Sequence, residues 1–335
     1  MTKLQTWRSR LTLFIWPALI GALPFSAYAQ GAANLEPVTM RFNWSFVGSY
    51  APVYLGIDKG FYAEQGIDLK PLLGKGTVPV ATAVANGSDD FGTTNMDAAA
   101  RLIDKGLPLK GILQLRQKSA MGLLTLAKSN ITAPRDLEGR TVGNTPGDSI
   151  SQVFPAFVKA NNIDITKVKL EGLDYSIYLK ALINGQVDAT MGYLDSEAFP
   201  LENQGIKTNF MFFKDYGVNL IALAFVTNSN MIKTKPDLVR RFVAATVKSY
   251  TYAQTHIDEA VTVGKKYFPE YDEKLTRRVL EFLPTTFGDS VKAGKPIGWC
   301  EPAVWAQSLA IMRDYMGIQH TDPSFYYTNE FIPAR

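Results

Sequence analysis

The sequence predicts an α/β protein built as two similar lobes joined by a hinge, with a helical segment at the C-terminal end. Three observations carry this. At 335 residues the chain exceeds what a single hydrophobic core normally organises. An Asn-Gly turn, an Asp and a short apolar run recur about 100 residues apart, at Asn86-Gly87 to Gly92 and at Asn184-Gly185 to Gly192. Strand-like runs stop near residue 228, and the remainder is patterned as helices.

The first 29 residues read as a targeting segment. Lys3, Arg8 and Arg10 precede an apolar run over 11–25, and Ala27-Tyr28-Ala29 has the small-x-small form of a cleavage site before Gln30. The run is about 15 residues, short of the roughly 20 that span a bilayer. Gln30 follows the site with no Cys nearby, so a cysteine-linked lipid anchor is excluded and a free periplasmic protein is expected. The formal charge of +4 includes those three basic residues and no acids, leaving +1 without them. Nucleic acid and anionic membrane are therefore not expected partners. A single cysteine, Cys300, cannot form an internal disulfide, and beside Trp299 after an apolar run it reads as buried.

The opening unit begins with an apolar run at 38–42, continues through a polar-aromatic loop from Asn43 and Trp44 to Tyr50 and a helix stopped by Gly66, and resumes as a strand at 67–73. Ligands of open α/β sheets bind beyond the carboxyl ends of the strands, which makes Asn43, Trp44 and Tyr50 candidates for contact. A helix at 78–85 follows the loop 74–77. A strand from Asp90 then runs through Asn95 into a helix at 98–105, and strands at 109–115 and 122–127 complete a first lobe over 30–127. The second lobe, 128–222, repeats the plan: a strand ending at Val142, a helix at 151–160, a strand at 168–173, a helix from Asp174-Tyr175, and a strand ending at Tyr193. A buried-strand pattern at 220–227 leads back, and helices at 236–256, 257–268, 271–283 and 302–316 are expected to pack on the first lobe, so that 223–335 closes it. Crossings near 125 and 225 would make a hinge with a cleft between the lobes.

Gly74-Lys75-Gly76-Thr77 lacks the earlier Gly of the phosphate-loop pattern, so nucleotide binding is not expected. The backbone donors at Gly76 and Thr77 remain candidates to face the cleft. The turn from Thr145 through Gly147 to Ser149 opens a helix, where an anion site and a plain capped start are both open. His256 and His320 lie in the helical tail with no metal-ligand spacing around them, and no base is available for a nucleophilic triad. No metal, cofactor or enzymatic activity is expected. Tyr54, Phe61, Tyr62 and Tyr178 read as core or helix-face residues. Trp44, Tyr175 and Tyr193 sit at loops that meet across the cleft and read as walls for a planar ligand. Asp195 reads as a helix cap, and Glu197 as a carboxylate facing the cleft, suited to paired hydrogen bonds with an aminopyrimidine.

These residues, with Pro52, Tyr54, Gly56, Lys59-Gly60-Phe61-Tyr62, Gly66-Ile67-Asp68-Leu69, Asp136-Leu137-Glu138-Gly139 and the closing Trp299, Trp305 and Thr328-Asn329-Glu330-Phe331, occur in an order that spans the chain after the targeting segment. The pattern resembles the nitrate/sulfonate/taurine-type periplasmic binding proteins of ABC importers. It is most similar to the branch containing thiamine-pyrimidine-precursor binding proteins and yeast-type pyrimidine synthases. The resemblance implies a type II periplasmic-binding-protein fold, capture of a small ligand between lobes by a monomer, and delivery to an ABC permease with its ATPase. Tyr193-Leu194-Asp195-Ser196-Glu197 matches the branch's aromatic-x-Asn/Asp-x-Glu segment, which implies that Glu197 reads the pyrimidine and Tyr193 forms a wall. The loop after Trp44 is more apolar than the branch pattern, and the cysteine-rich loop and reactive histidine of the synthases are missing. The expected ligand is a small planar N-heterocycle. A small anion such as a sulfonate, nitrate or aromatic carboxylate is the alternative, a pyrimidine-forming enzyme a further one, and a role in sensing rather than transport stays open.

Overall fold

The computed structural model describes residues 35–146 and 148–334. The targeting segment and Gly147 lie outside the described residues.

Two five-stranded sheets carry the fold, and they share one topology. The first has the order β2 (Ile67–Leu72), β1 (Glu36–Arg41), β3 (Phe91–Asn95), β10 (Leu223–Asn228), β4 (Leu109–Leu113). The second runs β7 (Lys169–Gly172), β6 (Thr141–Asn144), β8 (Ala189–Tyr193), β5 (Met121–Leu126), β9 (Thr208–Phe212). In each, three parallel strands are joined by an antiparallel fourth: β10 pairs with β3 and β4, and β5 with β8 and β9. The repeated Asn-Gly and Asp segments sit just before β3 and β8, and their equivalence extends to register, Asn95 facing Leu223 and Tyr193 facing Met121.

One strand differs from the sequence reading. Residues 122–127 read as the last strand of the first lobe, but this stretch is β5, the antiparallel strand of the second sheet. Its residues are apolar and buried throughout, a pattern that fits the middle of either sheet; the flanking strands β8 and β9 decide it. The chain therefore crosses between lobes just before β5, at 114–120, and again just before β10, at 217–222. The two crossings are hydrogen-bonded to each other: Arg116 N donates to Leu223 O at 2.9 Å, and Ala222 N to Arg116 O at 3.1 Å.

The helices Pro236–Thr255 and Ile257–Tyr267 pack against the helix Ala51–Asp58 of the first lobe, and Glu273–Phe282 packs on Ile257–Tyr267 and on the turn Gly48–Tyr50. Phe91 and Phe242 stack at 3.8 Å in this core. Phe46, in the loop after β1, is fully buried, stacked on Phe268 at 4.2 Å and edge-on to Tyr271 at 4.8 Å. The apolar character of that loop thus fastens it to the C-terminal helices. The last helix, Pro302–Met316, reaches further and packs against Ser149–Ala160 of the second lobe. Cys300 is buried, as read from sequence, and burial pushes its thiol pKa up.

Candidate functional site

A cavity of about 280 Å³ lies between the sheets, at the carboxyl ends of β1, β3 and β8. Asn43, Trp44, Tyr50, Gly76, Thr77 and Asn95 line it from the first lobe, and Thr145, Tyr175, Tyr193 and Glu197 from the second. The sequence-derived candidates thus converge, Gly147 alone being outside the described residues. Sequence reasoning missed Arg116, Asp148 and Tyr178, which also line the cavity. Tyr178 read as core; its ring is buried as expected, stacked on Tyr175 at 5.2 Å, yet it forms cavity wall.

Asn43 is fixed by three bonds. Its backbone N–H donates to Thr93 Oγ1 at 2.9 Å, the Thr93 hydroxyl donates back to Asn43 Oδ1 at 3.0 Å, and the Tyr50 hydroxyl donates to the same oxygen at 2.8 Å. With Oδ1 occupied twice, Nδ2 is the group Asn43 offers to the cavity. Gly76 plays a different part from the one expected. Its N–H donates to Asn43 O at 2.7 Å, so that donor holds the loop in place and is not free for a ligand. Thr77 likewise supports the wall, its Oγ1 accepting from Asn95 N at 3.2 Å.

Trp44 and Tyr175 were expected to sandwich a planar ligand. They instead meet each other edge to face across the mouth, with centroids 6.3 Å apart and planes at 75°, and each is about half exposed. Both line the cavity on its solvent-facing side and so cover it as a lid.

Opposite this lid, strand β8 ends in a single π-helical turn, Leu194–Ala198. Such turns place side chains that a regular helix would carry elsewhere. Here the turn folds Glu197 back onto the strand end: its Oε2 accepts the Tyr193 N–H at 2.5 Å, and its Oε1 accepts the Tyr175 hydroxyl at 3.3 Å. Gly192 makes the approach possible, since a Cβ there would lie 3.1 Å from Glu197 Cγ and 3.2 Å from Oε2. Glu197 is 2% exposed. Burial pushes its pKa up to about 7; the tyrosine and backbone donors oppose the shift, and the nearby Asp195 charge adds to it. The Tyr178 hydroxyl lies close enough to feel this carboxyl, but forms no hydrogen bond of good geometry among the described residues.

Asp195 is not the helix cap that the sequence suggested. The turn draws it inward, where Arg116 Nη2 donates to its Oδ2 at 2.5 Å, both side chains being about nine-tenths buried. Burial acts to lower the Arg116 pKa, but Asp195 outweighs it and holds the guanidinium charged. Of the two readings left open for 145–149, the capped start applies: Asp148 Oδ1 accepts Ser151 N at 2.7 Å at the head of Ser149–Ala160. Its charge is felt by Asp97 on the first lobe. Burial pushes the Asp97 pKa up to about 6, opposed by the Ala98 N–H and Ser149 and reinforced by Asp148. One turn further along each helix, Arg101 donates to Gln152 across the cleft. On the other flank Arg278 pairs with Glu202 and lies 4.0 Å over the Phe199 ring.

His256 and His320 are remote from the cavity: the first stacks on Tyr252, and the second pairs with Asp104 through Nδ1 at 2.9 Å. Among the described residues no group of three or more His, Cys, Asp or Glu is placed to hold a metal ion.

Known proteins bear on this geometry at two levels. A family model described as NMT1/THI5 like matches residues 48–260. The riboflavin-binding protein RibY of Chloroflexus aurantiacus is 25% identical over 95% of this chain and 92% of its own length. The formylaminopyrimidine-binding protein of Halalkalibacterium halodurans is 22% identical, covering 84% of this chain and 89% of its own. Other relatives are named 4-amino-5-hydroxymethyl-2-methylpyrimidine phosphate synthase. Among solved structures, the periplasmic aliphatic sulphonate binding protein SsuA from Escherichia coli superposes with a TM-score of 0.67 at 12% identity, covering 90% of this chain and 92% of that one. It shares the two-lobed periplasmic-binding fold.

Proposed function

The chain belongs to the NMT1/THI5-like family, and on that premise we propose that it is a periplasmic solute-binding protein that captures a small aminopyrimidine between its lobes and delivers it to an ABC permease and its ATPase. The observation that carries the ligand class is Glu197, a carboxyl buried among Tyr175, Tyr178 and Tyr193 with a pKa of about 7. A bare carboxylate in such a site is costly, whereas an exocyclic amine donates to one of its oxygens and a single proton shared with a ring nitrogen joins the other. Asn43 Nδ2 adds a donor from the other lobe. The cavity volume lies near the small end of ligand sites, which run from about 300 Å³ upward.

The small-anion reading is weakened by the same geometry. The Gly76 N–H is already engaged, Asp148 places a carboxyl at the helix start, and the Arg116 charge is met by Asp195. A pyrimidine-forming reaction would call on a reactive His or Cys, and here both histidines sit in the tail while Cys300 is buried behind Asn329. We therefore read the site as one for binding.

A thermal-shift comparison tests this. A ligand at 100 times its Kd adds about 2.7 kcal/mol of stability. 4-Amino-2-methylpyrimidine should stabilise the protein and methanesulfonate should not, and Glu197→Gln should lose most of the response. Stabilisation by the sulfonate alone would reject the reading.

A further inference from the structure

The two sheets leave the same edge in different states. The fifth strand of the first sheet is β4 and that of the second is β9, each held on its inner side by an antiparallel neighbour, β10 or β5. The outer edge of β4 is covered by the chain's own C-terminal segment. Gly111 N donates to Tyr326 O and Thr328 N to Gly111 O, both at 2.9 Å, which lays Tyr327 beside Gly111 as a parallel bridge. Tyr326 and Tyr327 are buried there, stacked on Trp305 at 5.7 and 5.1 Å. Among the described residues no segment pairs with the outer edge of β9. Ala127 N donates to Lys207 O at 3.0 Å, and bonded pairs alternate along an antiparallel ladder. The bonded pairs are therefore Thr125–Asn209 and Leu123–Met211, and Thr208, Phe210 and Phe212 direct their backbone groups outward.

Beside this open edge lies a second cavity, of about 440 Å³, which Ile131 and Asp215 line from the loops after β5 and β9. Leu123, Ile131 and Met211 make part of its wall apolar. Thr125 lines it as well, 2% exposed, and its hydroxyl has no hydrogen-bond partner among the described residues. An unpaired edge is a template for another strand, and buried hydroxyls are almost always satisfied. One occupant answers both: a strand laid along β9, as 326–328 is laid along β4, with one side chain turned into the cavity. A side chain with an apolar body and a hydroxyl tip suits the apolar wall and Thr125, and that is tyrosine. Exposed Lys207 precedes β9, and Asp215, still exposed beside Lys214, follows it. A segment running parallel to β9 is matched by an acid before the tyrosine and a base after it. We propose that the β9 edge and its cavity form a docking site, at which a partner protein adds an extended segment carrying a tyrosine between an acid and a base.

The probe is the amidated peptide Ser-Glu-Val-Tyr-Val-Lys-Ser with an N-terminal fluorescein, titrated with the full protein and read by fluorescence polarisation. Saturable binding with a Kd under about 1 mM is expected. The peptide with Phe in place of Tyr should bind about 3- to 10-fold more weakly. Thr125→Val keeps the shape of the side chain and removes the hydroxyl, so it should erase that difference and leave the melting temperature nearly unchanged. Successive backbone N–H groups of a strand point opposite ways, so N-methylation at the tyrosine and at the valine after it should differ at least about tenfold in effect. Absence of saturable binding, a tyrosine preference that survives Thr125→Val, or equal losses from the two methylations overturns the assignment. A dimer in sedimentation that Phe210→Pro abolishes gives the edge to a second copy of the chain and overturns it too.

Discussion

Glu197 Oε2 accepts the backbone N–H of Tyr193, four residues earlier, at 2.5 Å, and this one bond ties the end of strand β8 to the acid of the site. Replacing Glu197 by Gln keeps the shape, but it puts an amide donor where one of the carboxyl oxygens stood. Hydrogen bonds to a charged group are worth about 1.5–3 kcal/mol, so affinity for 4-amino-2-methylpyrimidine should fall roughly 10- to 100-fold. Isothermal titration of wild type and variant checks it.

The lid predicts a kinetic signature. Trp44 and Tyr175 touch across the mouth and are each about half exposed, so neither carries much of the fold. Trp44→Ala should raise the dissociation rate of a bound pyrimidine several-fold and leave the melting temperature nearly unchanged. Stopped-flow competition alongside thermal melting distinguishes this from a structural role.

Phe46→Ala tests how the loop is anchored. The ring is fully buried against Phe268 and Tyr271, and truncations of buried phenylalanines cost about 3–5 kcal/mol. Denaturant unfolding should show a loss of that order. Pyrimidine affinity should fall as well, because the same loop presents Asn43 and Trp44.

Asp97 should make stability depend on pH in an unusual direction. Its folded-state pKa of about 6 lies above the 3.8 of a free aspartate side chain. The folded state therefore holds its proton more tightly, and the associated stability is present below about pH 4 and lost as pH rises through 6. Asp97→Asn removes that loss. The variant should gain on the wild type between pH 4 and pH 8, by an amount on the order of 2–3 kcal/mol, as measured by urea unfolding at both pH values.

What the sequence revealed was chiefly local. The Asn-Gly turns, the Asp preceding each central strand and the aromatic loop after β1 are short-range patterns, and they mark the strand ends at which Asn43, Tyr193 and Glu197 line one cavity. Long-range pairing was hidden. Met121–Leu126 is apolar on both faces, so nothing in it says which sheet it enters. Arg116 carries no motif and gains its meaning only from two crossings that meet about 100 residues apart in sequence. Asp195 had the look of a cap because acids favour first turns; only the π-helical geometry turns it toward Arg116. The Gly76 N–H has the sequence context of a free loop donor, and only the fold brings Asn43 O to it.

If Glu197 reads an aminopyrimidine through one shared proton, binding must depend on pH. In the paired state a single proton lies between the carboxyl and the ring nitrogen. Above a pKa of about 7 the free acid has lost that proton and binding must take one up; at low pH, where both acid and ring are protonated, binding must release one. Affinity for 4-amino-2-methylpyrimidine, titrated from pH 5 to 9, should pass through a maximum near neutrality, with proton uptake at pH 8.5 in buffers of different ionisation enthalpy, and the profile should lose its alkaline limb in Glu197→Gln. An affinity that is flat across this range in the wild type, or a Glu197→Gln profile with the same alkaline limb, would contradict the claim.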